Sequence, residues 1–277
     1  MSHIIVIREY KPGDELNCHG MMTNSIMSSL NSTFLANVLK ELTFQLMILS
    51  AAIMFIFFGL SLTICLSVIP ITIIGTYIGT YLGFLMMTAE INQELSNISS
   101  NKLYMSNLFS CFWVAEAFQP YSMIRNPADV NYTVMTEKEF RDSNIDVSSQ
   151  LKKIVGTIGL LKSYKSDKGA WIKRLCVAKN YRRKGVGSCL LNTAVQFAVD
   201  QGYSSVDLVF SEYSDGCREL CFKKGFELKQ MYHKSIIGPV VNVLQYELTY
   251  KIKPHDDYID SYYNNYQNYN HPKQHFL

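Results

Sequence analysis

The chain has 277 residues, of which 48% are hydrophobic, and its formal net charge is only +3. This length is enough for one sizeable globular domain with additional segments, and the small charge argues against a nucleic-acid-binding protein. Seven cysteines are scattered without a CxxC pair, which fits neither a zinc site nor a disulfide framework. We therefore expect no bound metal, and free thiols that face a reducing compartment.

The N-terminal residues predict the first elements of a globular domain. His3–Arg8 is β-rich and predicts a short strand, and residues 21–42 carry a helical pattern. This start does not have the basic-then-apolar run that a cleavable signal peptide requires.

An uncharged stretch follows, from residue 42 to residue 89. About 20 helical residues cross a bilayer core of about 30 Å, so this stretch is long enough for two crossings. Pro70 lies past its middle and would break or kink a continuous helix. We predict a transmembrane hairpin with spans at Phe44–Leu66 and Ile71–Met87.

The second predicted span carries Gly75, Gly79 and Gly83 at four-residue spacing. Small residues at this spacing let membrane helices approach closely, so a homodimer through these helices is one interpretation. The composition is also common in membrane helices that do not associate. A buried helix pair of a soluble protein is a further alternative, although such a pair has no need to be apolar on every face.

The residues after the apolar stretch alternate between strand and helix patterns. An amphipathic helix is predicted at 187–200 and a short one at 215–224. Strands are predicted at 110–116, 153–161, 170–177, 205–210 and 241–251. This order predicts an α/β fold with a mixed central sheet flanked by helices.

Two segments of this region are predicted to be irregular. Residues 118–150 contain two prolines and many polar residues, and we interpret them as a loop insertion with a short helix start. The tail from 254 to 277 is rich in Tyr, Asn and His, has little aliphatic content, and is predicted to be disordered.

A basic, glycine-containing turn joins the strand that ends near Val177 to the helix that follows. Gly185 and Gly187 would let a pyrophosphate group approach the backbone without obstruction by side chains. The free N–H groups and positive dipole end of a helix N-terminus bind phosphate oxygens, and the run 182–184 adds three positive charges. A basic loop that binds acidic lipid is the alternative interpretation.

The turn resembles the acetyl-coenzyme A signature of the GNAT superfamily of N-acetyltransferases, (Gln/Arg)-x-x-Gly-x-(Gly/Ala), with Arg182, Gly185 and Gly187 in its three defined places. The runs SCFWVAE at 110–116, IVGTIG at 154–159 and QFAVDQGY at 196–203 resemble the camello-type, or N-acetyltransferase 8, family.

This resemblance implies a multi-pass enzyme of the endoplasmic reticulum membrane that transfers acetyl from acetyl-coenzyme A to a small-molecule or protein amine. In the implied fold, residues 1–41 supply the first strand and helices, 42–89 the transmembrane hairpin and 90–253 the acetyltransferase domain. If the strands on both sides of the hairpin share one sheet, both flanks lie on one side of the membrane. The number of crossings is then even.

The resemblance also implies roles for individual residues. The coenzyme would be held by backbone and side-chain groups of Leu175, Cys176, Val177, Arg182, Arg183, Lys184, Gly185, Val186, Gly187 and Ser188. Many relatives use a tyrosine as proton donor to the departing thiolate, and this chain has Cys221 in that place. Cys221 is therefore a candidate donor or only a small core residue.

The general base is a separate question. Candidates are Asp207 and Glu212, with Glu116 as a further carboxylate, and water is the alternative carrier of the proton. Because the tyrosine is replaced, a second hypothesis is an inactive, coenzyme A-binding membrane scaffold of the same fold. A channel is disfavoured, since two spans without an intramembrane charge offer no evident pathway.

Overall fold

The computed structural model describes residues 3–100, 110–120, 127–166, 168–212, 214, 216–237 and 241–252. Within these ranges the strands are β1 Ile4–Glu9, β2 Cys111–Pro120, β3 Thr133–Thr136, β4 Gln150–Lys162, β5 Gly169–Val177, β6 Ser205–Ser211, β7 Glu227–Ile237 and β8 Val241–Lys251. The helices are α1 Glu15–Met27, α2 Leu30–Val38, α3 Glu41–Phe58, α4 Leu62–Leu66, α5 Val68–Ser100, α6 Glu137–Asp142, α7 Val186–Asp200 and α8 Cys217–Lys223. The predicted disordered tail, 254–277, lies outside the described residues.

The strands form one mixed sheet in the order β3-β1-β2-β4-β5-β6-β8-β7, which confirms the predicted α/β class. Helices cover both faces of the sheet. Side chains alternate along each strand, so apolar residues project from both faces and pack against helices on each side. Phe112 and Val114 of β2 pack against buried residues of α1, whereas Trp113 and Ala115 belong to the core beneath α7. The strand that precedes the apolar segment, β1, pairs with β2 and so shares a sheet with the strands that follow that segment, which is the condition stated above for an even number of crossings.

The sheet opens between β5 and β6. These parallel strands pair only over Gly169–Ile172 and Ser205–Leu208. Just beyond, β5 contains an irregularity at which Arg174 adopts a positive φ of 56°. A bulge of this kind bends its strand and interrupts the ladder of hydrogen bonds. The C-terminal halves of β5 and β6 are consequently free to line a cleft.

Several elements differ from the sequence predictions. The helical pattern at 21–42 is divided among α1, α2 and the start of α3. At the first break, Ser28 and Ser29 donate side-chain hydrogen bonds to the carbonyls of Ser25 and Ile26 at the end of α1. The described part of the predicted loop insertion, 118–150, includes β3, which pairs with β1, and α6, which begins with a capping box. The edge strand β7 was not predicted at all.

The apolar segment breaks at a different residue from the one expected. Gly59 ends α3 in the left-handed conformation, with φ of 61°. Pro70 instead lies in the first turn of α5, where a missing N–H removes no helical hydrogen bond. The predicted first span, Phe44–Leu66, is therefore divided between α3 and α4, and the second continues well beyond Met87.

The transmembrane hairpin is not confirmed. Among the described residues, one helical stretch, Leu62–Ile91, which comprises α4 and most of α5, is long and apolar enough to cross a membrane, with a mean hydropathy of 1.9 and only 17% of its most apolar part buried. A second span exists only if Glu15–Val38 and Thr43–Phe58, which meet at an angle of 53°, are taken as one bent helix.

Candidate functional site

A cleft of about 800 Å³ lies where β5 and β6 part. Its floor is the C-terminal end of β5, and one end is closed by the turn before α7 and by the start of α8. The α1–α2 junction, α5 and the β7–β8 pair surround the other end. Eight of the ten residues predicted to hold the coenzyme line this cleft, namely Leu175, Cys176, Val177, Arg182, Arg183, Gly185, Gly187 and Ser188.

The turn before α7 is shaped by left-handed backbone. Arg183 has φ of 61°, and Gly185, the residue that caps α7, has φ of 84°. Because the first N–H groups of an α-helix have no partner within the helix, the first turn of α7 presents unpaired donors beside the cleft. Those donors and the helix dipole favour an anion there.

Gly187 is required for packing as well as for access. A Cβ atom at this position would lie 3.3 Å from Leu220 Cδ2 and 3.6 Å from Val177 Cγ2. The first turn of α7 therefore approaches both α8 and β5 closely. A larger residue would have to displace a neighbour or enter the cleft.

The three basic residues of the turn point in different directions. Arg182 Nε donates to the carbonyl of Val177 at 3.1 Å, so its guanidinium lies against the cleft floor. Arg183 forms an exposed ion pair with Glu219 at 3.2 Å. Lys184 points elsewhere: Nζ donates to the carbonyls of Ala128, at 2.9 Å, and Val130.

Two of the predicted coenzyme residues are thus not brought into the cleft. Lys184 anchors the segment around residue 128 and lies over the Tyr132 ring. Val186 is 1% exposed and belongs to the core beneath α7. Consecutive residues of a turn project in different directions, so the basic run could not place three charges at one site.

We expect Lys184→Met to change the dissociation constant for acetyl-coenzyme A less than twofold, because its ammonium group is held away from the cleft. Arg182→Met should raise that constant about 10-fold or more, since charge-assisted hydrogen bonds contribute about 1.5–3 kcal/mol. Titration calorimetry of both variants measures the difference. Equal losses in the two variants would contradict this orientation of the turn.

The three predicted catalytic residues are not among the described residues that line the cleft. Asp207 is bound by Lys229 at 2.9 Å, and the same ammonium contacts the buried Glu247 at 3.0 Å. Glu212 is exposed and accepts a hydrogen bond from the N–H of Leu244. Cys221 is fully buried. The further carboxylate, Glu116, is paired with Arg8.

Cys217, and not the predicted donor Cys221, is the α8 cysteine that lines the cleft. It is one helical turn before Cys221, it lines the cleft, and the two sulfur atoms are 4.0 Å apart. The hydrogen bond with Cys221, together with burial, raises the pKa of the Cys217 thiol well above its ordinary value. The thiol therefore stays protonated at neutral pH. The i, i+4 spacing on a short helix was the signal available in the sequence.

Hydroxyl groups dominate the part of the cleft wall that the sequence analysis missed. They belong to Ser25, Ser28, Ser29, Ser32 and Thr33 of the α1–α2 region and to Ser211 and Ser214 across the cleft. Lys234 of β7 and Gln245 of β8 add polar groups at this end. Isolated serines have no spacing rule, so no sequence pattern distinguished them from surface residues.

The family model described as "Acetyltransferase (GNAT) family" matches residues 104–226, from just before β2 to the end of α8, and includes the turn and the cleft floor. The segment is a GNAT acetyltransferase domain. The matched residues supply strands β2 to β6 of the sheet, whereas β1, β7 and β8 lie outside the match.

The relatives of this GNAT domain belong to the N-acetyltransferase 8 family, at modest identity. N-acetyltransferase 8B of Rattus norvegicus is 29% identical over 126 residues, which are 44% of this chain and 55% of the relative. N-acetyltransferase 8B of Homo sapiens is 24% identical over 227 residues, covering 80% of this chain and 83% of the relative. The match to the rat protein thus spans little more than half of that protein's length.

A solved acetyltransferase of the GNAT family from Staphylococcus aureus Mu50 is also similar. It is 16% identical, with 88% of this chain and 97% of that chain covered, at a TM-score of 0.43. The likeness is too distant for a comparison of sites.

Proposed function

We propose that the chain is an acetyl-coenzyme A-dependent N-acetyltransferase whose acceptor is an amine. The observation that supports this most directly is the continuity of the cleft. The anion-binding turn at Gly185–Gly187 and the hydroxyl-rich wall of α1–α2 line one cavity of about 800 Å³. A phosphate-bearing donor and an amine can therefore meet at the parted ends of β5 and β6.

Residues of β5 and α7 supply the donor half of the proposed site. The first turn of α7 and Arg182 would hold the pyrophosphate of the co-substrate. The backbone of Leu175–Val177, where β5 has left β6, would bind the pantetheine amides and orient the thioester carbonyl. The amine then attacks that carbonyl directly, without a covalent enzyme intermediate.

The acceptor ammonium must lose one proton before it attacks and a second proton after the attack, and the departing coenzyme A sulfur takes up one of the two. Among the described residues that line the cleft, Glu219 supplies the one carboxylate. Its side chain is exposed and forms ion pairs with Arg183 and Lys223. Water held by the serine hydroxyls is therefore our proposed first acceptor of the proton. Lys234 assists, because a nearby cation favours the neutral, nucleophilic form of the acceptor amine.

Cys217, rather than Cys221, is the proposed hydrogen-bond donor to the departing sulfur. We expect Cys217→Ala to lower kcat about 10- to 100-fold, at or below the lower limit of the range of about 100- to 10,000-fold for general acid catalysis, because a thiol is a weak donor. The KM for acetyl-coenzyme A should stay within about twofold. Cys221→Ala is the matched control on the same helix and should keep most of the activity. A loss confined to Cys221→Ala would contradict the assignment.

Membrane anchoring in the endoplasmic reticulum is part of the proposal. Large apolar side chains of α3 and α5 are exposed, such as Ile48 at 70%, Phe57 at 80% and Ile71 at 65%, and patches of this kind mark membrane or protein contacts. Resistance of the protein to alkaline extraction from microsomes is the expected result, and release into the soluble fraction would contradict it.

Gly75 and Gly79 have open space beside them, so a homodimer contact there also remains a prediction.

An inactive, coenzyme A-binding scaffold is the second candidate, favoured by the burial of Cys221 and by the ion pairs that occupy Asp207 and Glu116. Release of free thiol from acetyl-coenzyme A distinguishes the two. We expect release above background with at least one member of a panel of alkylamines, amino acids, cysteine conjugates and lysine peptides. Binding of acetyl-coenzyme A without release across the panel would support the scaffold.

A further inference from the structure

One wall of the cleft is built by the apolar helix α5. Phe84, which is 4% exposed, and Met87 line the same cavity as the anion-binding turn. Both lie near the end of the membrane-length stretch Leu62–Ile91, a few residues before Glu90, the first charged residue after the uncharged stretch 42–89. The acceptor end of the cleft is therefore formed in part by the last apolar turns of a candidate membrane helix.

The opposite side of these turns faces outward. Leu82 is 48% exposed, Leu85 is 40% exposed and Met86 is 64% exposed. In this turn of α5, Phe84 is buried against the cleft, whereas Leu85 and Met86 are exposed on the outer side. The helix therefore forms the wall between the cleft and the outside of the protein. If the stretch lies in a bilayer, the acceptor end of the cleft lies at the bilayer surface.

The chemistry of this end is divided between polar and apolar groups. Ser29 is partly exposed and donates its hydroxyl hydrogen to the carbonyl of Ile26 one turn earlier, which leaves its oxygen atom available as an acceptor. Phe84, Met87 and Ile26 provide apolar contact area in the same cavity. Hydroxyl oxygens suit an amine head group, and the apolar side chains suit a hydrocarbon chain.

We propose that the acceptor is a lipid-like amine with one long alkyl chain, whose chain lies against Phe84 and Met87. The inference rests on the proposed acetyltransferase function and specifies its substrate class. In this arrangement the head group leaves the bilayer only far enough to reach the thioester, while the chain stays in contact with α5. Met87 and Phe84 then act as specificity residues and take no part in the chemistry.

The test uses n-alkylamines from butylamine to dodecylamine, kept below their micellar concentrations, with the full chain in lipid nanodiscs. These amines share one head group and differ only in chain length. Full burial of a methylene group is worth about fourfold in an equilibrium constant, so we expect kcat/KM to rise about two- to fourfold per methylene over the first part of the series. Thiol release from acetyl-coenzyme A is the readout.

Adjacent methionines provide the matched control. Met87→Ala should raise the KM for dodecylamine about fivefold or more, whereas the KM for butylamine and the kcat values should change little. Met86→Ala removes the same atoms from the outward side and should leave the whole series unchanged. Phe84→Ala should have the same effect on the KM for dodecylamine as Met87→Ala. If Phe84→Ala fails to fold, the comparison of Met87→Ala with Met86→Ala still tests the inference.

Each outcome has one meaning. The lipid-amine inference would be overturned if the wild-type rate did not depend on chain length, or if Met86→Ala and Met87→Ala had equal effects. Turnover of butylamine would in that case still support the acetyltransferase function. No thiol release with any amine would reject both the inference and the function on which it rests.

Discussion

Gly187→Glu is expected to abolish acetyl-coenzyme A binding. The substitution puts a carboxylate at the first turn of α7, where the pyrophosphate is proposed to lie. Two like charges 4 Å apart repel by about 4 kcal/mol at an effective dielectric constant of 20, which corresponds to about a 1,000-fold loss of affinity. Titration calorimetry measures the loss.

Gly187→Ala separates charge from packing. The added methyl group meets Leu220 Cδ2 at 3.3 Å and Val177 Cγ2 at 3.6 Å, so neighbours must move by a few tenths of an ångström. We expect a small loss of stability and a loss of affinity of about tenfold or less. Retained affinity in the glutamate variant would show that the pyrophosphate does not bind at this turn.

Arg8→Met is expected to cause the largest loss of stability. The Arg8 guanidinium donates to Asp14 at 2.7 Å and to Glu116 at 2.9 Å, and side-chain exposure is only 10% for Arg8, 14% for Asp14 and 12% for Glu116. Removal of the cation leaves two carboxylates without their partner in a mostly buried position, which costs about 3–5 kcal/mol. Urea unfolding followed by tryptophan fluorescence measures this, because Trp113 and Trp171 both lie in the sheet.

A surface pair provides the control. Arg141 contacts Glu137 at 2.8 Å, but its side chain is 72% exposed, so Arg141→Met should cost about 0–1 kcal/mol. Equal losses for the two variants would contradict the role of the buried network.

Acid provides a second readout of this network. Burial opposes ionisation of Asp14, but hydrogen bonds from Arg8 and from the N–H of Lys11 outweigh it and hold the pKa of Asp14 below its ordinary value. A lowered pKa in the folded state means that the stabilisation is complete above the unfolded value of about 3.9 and is lost as pH falls through the folded pKa. The stability difference between wild type and Asp14→Asn should therefore shrink below about pH 4.

The sequence predicted the elements correctly where the pattern lies in neighbouring residues. The strand that ends at Val177, the glycine turn and the apolar periodicity of α7 are adjacent in the chain, and the structure has all three in that order. That β1 shares a sheet with the later strands was only a condition in the sequence analysis, and the pairing of β1 with β2 supplies it. By contrast, β7 was missed because an edge strand with most side chains exposed shows no alternation.

Placement of individual side chains required the tertiary structure. Asp207 was a reasonable base by strand alternation, but Lys229 from another strand occupies it. Cys221 has the expected position in the chain, yet it is Cys217, one turn away, that lines the cleft. The contribution of α5 to the cleft could not be predicted, because Phe84 and Leu220 are far apart in sequence and meet the cavity only through the fold.

The measurement that tests the central claim most directly is calorimetric titration of the purified protein with acetyl-coenzyme A. We predict saturable binding with one site per chain, weakened by Arg182→Met and unaffected by Lys184→Met. No heat of binding in protein whose unfolding transition is intact would mean that the cleft between β5, α7 and α8 does not hold the coenzyme. The proposed acetyltransferase function would then be contradicted.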